Sequence, residues 1–202
     1  MIISENPQGT PEWMADRCAV PSASMFASIF TTQGKASAQA QGYMNQLLAE
    51  YLLGRKEDTY TNPNMEEGVA REEESRQAYA FVNGVEPVEV GFCFKDADRL
   101  VGASPDSLVG DDGGLELKNP LAKTHTGYLR GQKLPTTYYQ QVHGQLFVTG
   151  RDWFDFVSYF PALPMFQIRV YRDEKIMKMV GEHLDKFISE MLEERAKLEA
   201  LR

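Results

Sequence analysis

The stretch S-P-D-S-L-V-G-D-D-G-G-L-E-L-K-N-P, Ser104 to Pro120, holds the residue types best suited to chemistry in this chain. Glu116 and Lys118 are two apart, and side chains two apart on a strand share a face. Leu117 then turns to the opposite face, towards a core. Asp106 follows a short apolar run, and a hairpin would bring it beside Glu116 and Lys118. Carboxylate oxygens suit a hard cation such as Mg²⁺, which takes few protein ligands and keeps water or phosphate oxygens. Such an ion stabilises both the attacking and the leaving oxygen in phosphodiester hydrolysis. A neighbouring amine can position or help deprotonate the attacking water and offset charge in the transition state. Asp, Glu and Lys on strands are also commonly surface ion pairs. What sets this grouping apart is its context of strand, turn, strand and then a basic window. The chain has no P-loop, no dinucleotide-type glycine loop and no G-x-S-x-G.

Those residues need a scaffold. Val88, Val90, Phe92 and Phe94 alternate with Glu89, Gly91 and Cys93, which predicts a strand. Leu100 to Ala103 and Leu115 to Lys118 read as two more. The turn residues Asp111 to Gly114 make these two a hairpin pair. Thr10 and Pro11 mark a helix start. Ser22 is placed to cap a short helix, and apolar spacing predicts a helix over 36–53 that stops at Gly54. Asn64 is placed to cap a helix running to about Val82. Pro135 opens a helix that ends at Gly150, and Trp153 to Tyr159 and Phe166 to Tyr171 read as strands. An apolar stripe from Ile176 to Leu192 predicts a long final helix. The order implies a mixed α/β domain, α+β in layout. Its helical part spans about 10–83, its α/β core about 85–172 and its last helix about 173–202, as a single domain.

The net charge of -8 argues against a polyanionic partner, but its distribution does not. Neither Arg17 to Ala49 nor Leu117 to Arg151 contains an Asp or Glu, and together the windows hold seven Lys and Arg. Buried helices also lack acids, yet the second window is polar and carries Lys123, His125, Tyr128, Arg130, Lys133, Tyr138 and Tyr139. It reads as a phosphate-facing patch inside an acidic protein. Cys18 and Cys93 are too few for a disulfide scaffold, and three scattered histidines give no zinc site. No apolar run spans a membrane and the N-terminus is not a leader, so the expectation is a cytoplasmic protein without a membrane partner.

The arrangement resembles the PD-(D/E)xK nuclease superfamily. More narrowly, S-P-D-x-L followed by G-L-E-L-K-x-P resembles the phage lambda exonuclease, or YqaJ-type viral recombinase, family. Other elements recur in order. They are W-M-A-D-R (Trp13 to Arg17), S-A-S (Ser22 to Ser24), G-V-A-R-E (Gly68 to Glu72) and Q-V-H (Gln141 to His143). Ser22 stands where the family has threonine, and Glu67 where it often has an aromatic.

The resemblance implies a restriction-endonuclease-like core, a mixed central sheet flanked by helices, with N-terminal helices. It implies a homotrimeric toroid that digests linear double-stranded DNA 5′ to 3′ with Mg²⁺. Two ions are expected, and Mn²⁺ is expected to substitute. The products are 5′-mononucleotides and a 3′-ended strand used in recombination with a single-strand annealing protein, in the cytoplasm of a bacterial host. By the same resemblance Asp106 bridges the metals. Glu116 and the carbonyl of Leu117 hold the metal beside the nucleophilic water, and Lys118 orients that water. Glu72 reaches the site through water; Glu73 and Glu74 adjoin it, and helical geometry aims only one of the three inward. Arg17, Ser24, Ser104 and Gln141 form the pocket for the terminal 5′-phosphate. An endonuclease on the same strands, or a non-catalytic module that binds DNA ends, are the other readings. Lys123 and His125 are open between DNA contact and a solvated loop, and Tyr138 and Tyr139 between DNA stacking and the core.

Overall fold

A computed structural model describes residues 1–56 and 71–201. The first helix, α1 (Pro11–Asp16), begins as its residues require: Trp13 N donates to Thr10 Oγ1 at 3.2 Å, and Pro11 sits where no amide donor is needed. A 3₁₀ turn (Ala23–Ser28) follows. Ser22 does not cap it with its side chain; its Oγ lies 3.2 Å from Ser24 Oγ instead. Helix α2 (Ala40–Leu53) starts four residues later than its periodicity suggests and ends at Gly54, which is left-handed at φ 67°. Helix α3 (Glu72–Asn83) closes at Gly84. Asn64, Glu67 and Gly68 lie outside the described residues.

A five-stranded sheet forms the centre. Its strands are β2 (Pro87–Val88), β5 (Ser107–Val109), β6 (Gly113–Lys118), β7 (Trp153–Ser158) and β8 (Phe166–Tyr171), adjacent in that order. Only β6 and β7 run parallel, with Glu116 opposite Phe156 and Lys118 opposite Ser158. Parallel neighbours need a long crossover. Here that crossover carries α4 (Ala122–Gly131) and α5 (Tyr139–Thr149). A smaller antiparallel sheet joins β1 (Ile2–Ile3), β3 (Cys93–Phe94) and β4 (Gly102–Ala103). Helix α6 (Glu174–Glu199) is capped by Asp173, whose carboxylate accepts from Lys175 N and Ile176 N. It packs Val180, Leu184 and Phe187 into the core beside Phe26, Tyr43 and Leu47.

Four expectations need correcting. The alternating run Val88 to Phe94 is split between two sheets, because the N-terminal segment crosses at Gly91. A Cβ there would lie 2.4 Å from the Ser4 carbonyl oxygen, and Ser4 N donates to Phe92 O. The hairpin partner of β6 is β5, not the strand at Gly102–Ala103. Gly113 and Gly114 are strand rather than turn residues, lying under the rings of Trp153 and Phe154 where any Cβ would collide. The basic stretch after β6 is a helix, α4, and His125 is its fully buried anchor. His125 Nε2 lies 2.9 Å from the Pro164 carbonyl, which only accepts, so Nε2 donates. Nδ1 then accepts from the Ser158 hydroxyl at 2.8 Å.

Helix α5 lies directly on the 3₁₀ turn. At Gly144 a Cβ would stand 2.5 Å from a ring carbon of the fully buried Phe26 and 3.0 Å from Ala23. Gly144→Ala gains helix propensity of about 1 kcal/mol and is still expected to destabilise by about 2 kcal/mol, because the ring has nowhere to move. Thermal melts check this, and an unchanged or raised melting temperature would show that the turn yields.

Candidate active site

The local fold makes the site. Ser107 pairs with Leu115 across the β5–β6 hairpin, and Asp106 N continues that ladder to Leu115 O at 3.1 Å. Asp106 is thereby placed against the face that Glu116 and Lys118 share, and its Oδ2 accepts from Leu117 N at 2.5 Å. Leu117 itself points to the opposite face, packed with Tyr79, Val109, Leu115 and Val157. Glu116 is buried, and three donors hold its carboxylate. Lys118 Nζ and Gln141 Nε2 (2.6 Å) reach Oε1, and Gln145 Nε2 reaches Oε2.

One cavity of about 180 Å³ gathers these groups with the N-terminal ones. Asp106, Glu116 and Lys118 line it together with Arg17, Ser24, Ser104 and Gln141. Arg17 comes from the end of α1, where its guanidinium stacks on Trp13 at 4.1 Å from the ring centroid. Ser24 comes from the 3₁₀ turn and Gln141 from α5. Four buried polar atoms on the cavity's residues have no hydrogen-bond partner among the described residues. They are Trp13 Nε1, Arg17 Nε, Ser104 Oγ and Gln145 Oε1. The first three can donate, and buried donors without acceptors are costly, so these three favour an acceptor-rich guest such as a phosphate.

Burial, and then the nearby Glu116, push the Asp106 carboxyl well above its ordinary value, while Lys118 pulls the other way. Burial would lower Lys118, but Glu116 and Asp106 outweigh it and hold the ammonium above its usual range. Burial lowers Arg17. The Asp106 shift makes stability depend on pH. The unfolded carboxyl titrates at about 4, and the folded one higher. The contribution from Asp106 is therefore fully present below about pH 4 and is lost as pH rises through its raised folded value. Melting curves in a chelator should show wild type losing stability relative to Asp106→Asn across that window. A pH-independent difference would contradict it.

Glu72 does not line this cavity. It faces an adjoining one with Gln8, Trp13, Glu73, Arg76 and Glu89. It is the half-buried member of the Glu72–Glu74 trio, and its carboxyl is raised by burial while Arg76 and Lys118 act against that. Arg76 Nη2 donates to Glu72 Oε1 at 3.1 Å, and Arg76 Nε to Ser107 Oγ at 3.1 Å, beside Asp106. Among the described residues no three His, Cys, Asp or Glu side chains converge as a metal cage. Mg²⁺ needs only one or two carboxylates with its waters, and Asp106 and Glu116 supply two.

Gln8, Trp13 and Gln145 line the cavity without having been assigned a role from sequence. Gln141 and Gln145, like Trp13 and Arg17, are four apart on a helix and so share a face, a signal open to sequence reading. Lys123, Arg130 and Lys133 lie exposed on and just after α4, outside the cavity. Tyr138 packs with the core around Phe156, and its ring centre is 5.4 Å from Lys118 Nζ. Tyr139 packs against His143 at 4.3 Å between ring centroids.

Residues 12–152 match the YqaJ-like viral recombinase domain. The chain superposes on the alkaline exonuclease LHK-Exo of Laribacter hongkongensis with a TM-score of 0.86 and 33% identity, covering 95% of this chain and 97% of that one. LHK-Exo in complex with dAMP gives a TM-score of 0.85 over the same shares. A phage-related exonuclease from Haemophilus somnus 129PT shares the fold with a TM-score of 0.66 at 14% identity, over 87% of this chain and 96% of that one. The uncharacterized protein R354 of Acanthamoeba polyphaga mimivirus is 33% identical over 93 residues, 40% of this chain but only 17% of that protein's length. With its matched segment running from α1 through the β5–β6 hairpin to the end of α5, the chain belongs to the YqaJ-like viral recombinase family.

Proposed function

We propose that this chain, working as one nuclease domain, is a Mg²⁺-dependent exonuclease that digests linear double-stranded DNA 5′ to 3′ from 5′-phosphorylated ends. The products are 5′-mononucleotides and a 3′ single strand for recombination by strand annealing. The observation that carries the proposal is the single cavity. Arg17, Ser24, Ser104 and Gln141 line it as phosphate donors, beside Asp106, Glu116 and Lys118. Membership of the family supports the reading, as does the deoxynucleotide monophosphate held by LHK-Exo, which belongs to the product class.

Asp106, Glu116 and the backbone carbonyl of Leu117 are the groups for the metal, with two ions expected and Mn²⁺ able to substitute. When bound, the ions supply Lewis-acid stabilisation of the attacking and leaving oxygens. Lys118 orients the attacking water. Glu72 contributes from α3 through water, its carboxylate steadied by Arg76. The guanidinium of Arg17 takes the terminal phosphate, and Ser24, Ser104 and Gln141 complete the grip. Gripping the end fixes which bond reaches the carboxylates, and so fixes polarity. The exposed Lys123, Arg130 and Lys133 of the crossover suit the duplex backbone. A homotrimeric ring, an annealing-protein partner and action in the cytoplasm of a bacterial host belong to the same proposal. No helix among the described residues is long and apolar enough to cross a membrane.

The test uses Mg²⁺ with a linear duplex labelled at both ends of one strand, and with a closed circular duplex. Early release of the 5′-labelled mononucleotide, a persisting 3′-ended strand and an untouched circle are expected. A nicked or linearised circle would move the same residues to an endonuclease. No cleavage with Mg²⁺ or Mn²⁺ would leave only DNA-end binding.

A further inference from the structure

We propose that Gln145 is a positioning residue of this site: it fixes Glu116 for the metal and offers its own carbonyl to the metal's water. The proposal rests on the nuclease reading above.

Glu116 is held by three donors that differ in what else they do. Lys118 and Gln141 both sit on Oε1. In the proposed reaction Lys118 turns to the water and Gln141 to the terminal phosphate, so each loosens its hold on Glu116 when substrate arrives. Among the described residues Gln145 sits alone on Oε2. It is 1% exposed, one helical turn beyond Gln141 on α5, and has no reactant of its own. An oxygen with one donor keeps a lone pair in reserve. Oε2 can therefore face a cation while Gln145 still sets its direction.

The amide's orientation follows from its neighbour. Only the NH₂ end can face a carboxylate, which has no hydrogen to give. The carbonyl end must then point away, and there Oε1 is buried without a partner among the described residues. The other unpartnered atoms of the cavity include two pure donors, Trp13 Nε1 and Arg17 Nε, which suit an anion. Gln145 Oε1 is a pure acceptor and suits the opposite guest, the hydrogen of a water on a hydrated cation. One side chain thus orients the carboxylate ligand and receives the ion's water. Partners of metal ligands that play such a part are worth roughly 10–100-fold in metal affinity or activity.

The test compares wild type with Gln145→Met, which keeps length and removes both polar ends. Mn²⁺ binding to the DNA-free protein is followed by electron paramagnetic resonance. Binding of a 5′-phosphorylated duplex end is measured in a chelator. We expect Mn²⁺ to bind Gln145→Met at least about tenfold more weakly, with metal-free end binding within about twofold of wild type. A merely structural role would weaken both together or neither, and equal Mn²⁺ affinity in the two folded proteins overturns the proposal.

A second measurement needs no variant. In ¹⁵N-labelled wild type titrated with a 5′-phosphorylated duplex end in Ca²⁺, the side-chain amide of Gln145 should stay slow to exchange with solvent, whereas that of Gln141 leaves Glu116 and changes its exchange. Loss of protection at Gln145 also overturns the proposal. A wild type that takes up no Mn²⁺ and cuts no DNA overturns the nuclease reading and this with it. A wild type that does both, beside an equally metal-avid Gln145→Met, overturns this alone.

Discussion

Lys118→Ala should bind 5′-phosphorylated duplex ends nearly as wild type and turn over roughly 10³-fold more slowly. The size follows from what one positioned donor or proton-transfer group contributes near a reacting phosphate, about 10²–10⁴-fold. The fold should survive. Glu116 would still receive both glutamine amides, so no buried carboxylate is left without donors. Lys118→Arg should not restore activity. The guanidinium is a broad planar fork, whereas the ammonium beside Glu116 and the Tyr138 ring is a compact point charge. Single-turnover release of mononucleotide, with end binding measured separately in Ca²⁺, reads the two effects apart. Ca²⁺ suits binding more than catalysis because its coordination is looser. Near-normal turnover in Lys118→Ala would remove the lysine from the mechanism.

Arg17→Ala should cost about 30-fold in kcat/KM on 5′-phosphorylated ends and less than about threefold on 5′-hydroxyl ends. A hydrogen bond to a charged group in a desolvated setting is worth about 2 kcal/mol. Arg17 is the one guanidinium lining the cavity, with a buried Nε lacking any partner among the described residues. Stacking on Trp13 leaves the guanidinium edge, rather than its face, to meet a ligand. Because that stacking is lost in alanine, Arg17→Gln serves as a packing control and should show the same selective loss. An equal loss on both kinds of end would make Arg17 structural, or a general backbone contact.

The face shared by Glu116 and Lys118 was legible in the sequence because strand geometry is local. Glu116, Leu117 and Lys118 alternate as the period of two demands, whatever surrounds them. The pairing partner was not legible. Choosing β5 over Gly102–Ala103 depends on which strand the N-terminal segment occupies, a contact between residues about ninety positions apart. Helix α4 was hidden for a similar reason. Its sequence carries Gly127 and a thin apolar pattern, and its anchor is a histidine whose partners, Ser158 and Pro164, lie over thirty residues away. The residues proposed to grip the phosphate were named through family motifs, and only the fold brings Arg17, Ser24, Ser104 and Gln141 to one cavity from four separate segments. Gln145 was missed because a glutamine in a helix is ordinary until its acceptor, Glu116, is known.

The contact at Gly144 bears on the order in which this molecule would fail under heat. Ser24 and Gln141 ride on the two segments that meet there without room for a methyl group, so the gap between them is set by core packing. Asp106, Glu116 and Lys118 are instead held by one short hairpin and its parallel neighbour. On warming, or under a softening mutation at the Phe26 contact, the spacing of the pocket's donors should drift before the hairpin loosens. On the function proposed above, the protein would then still cut, but it would stop caring how the strand begins.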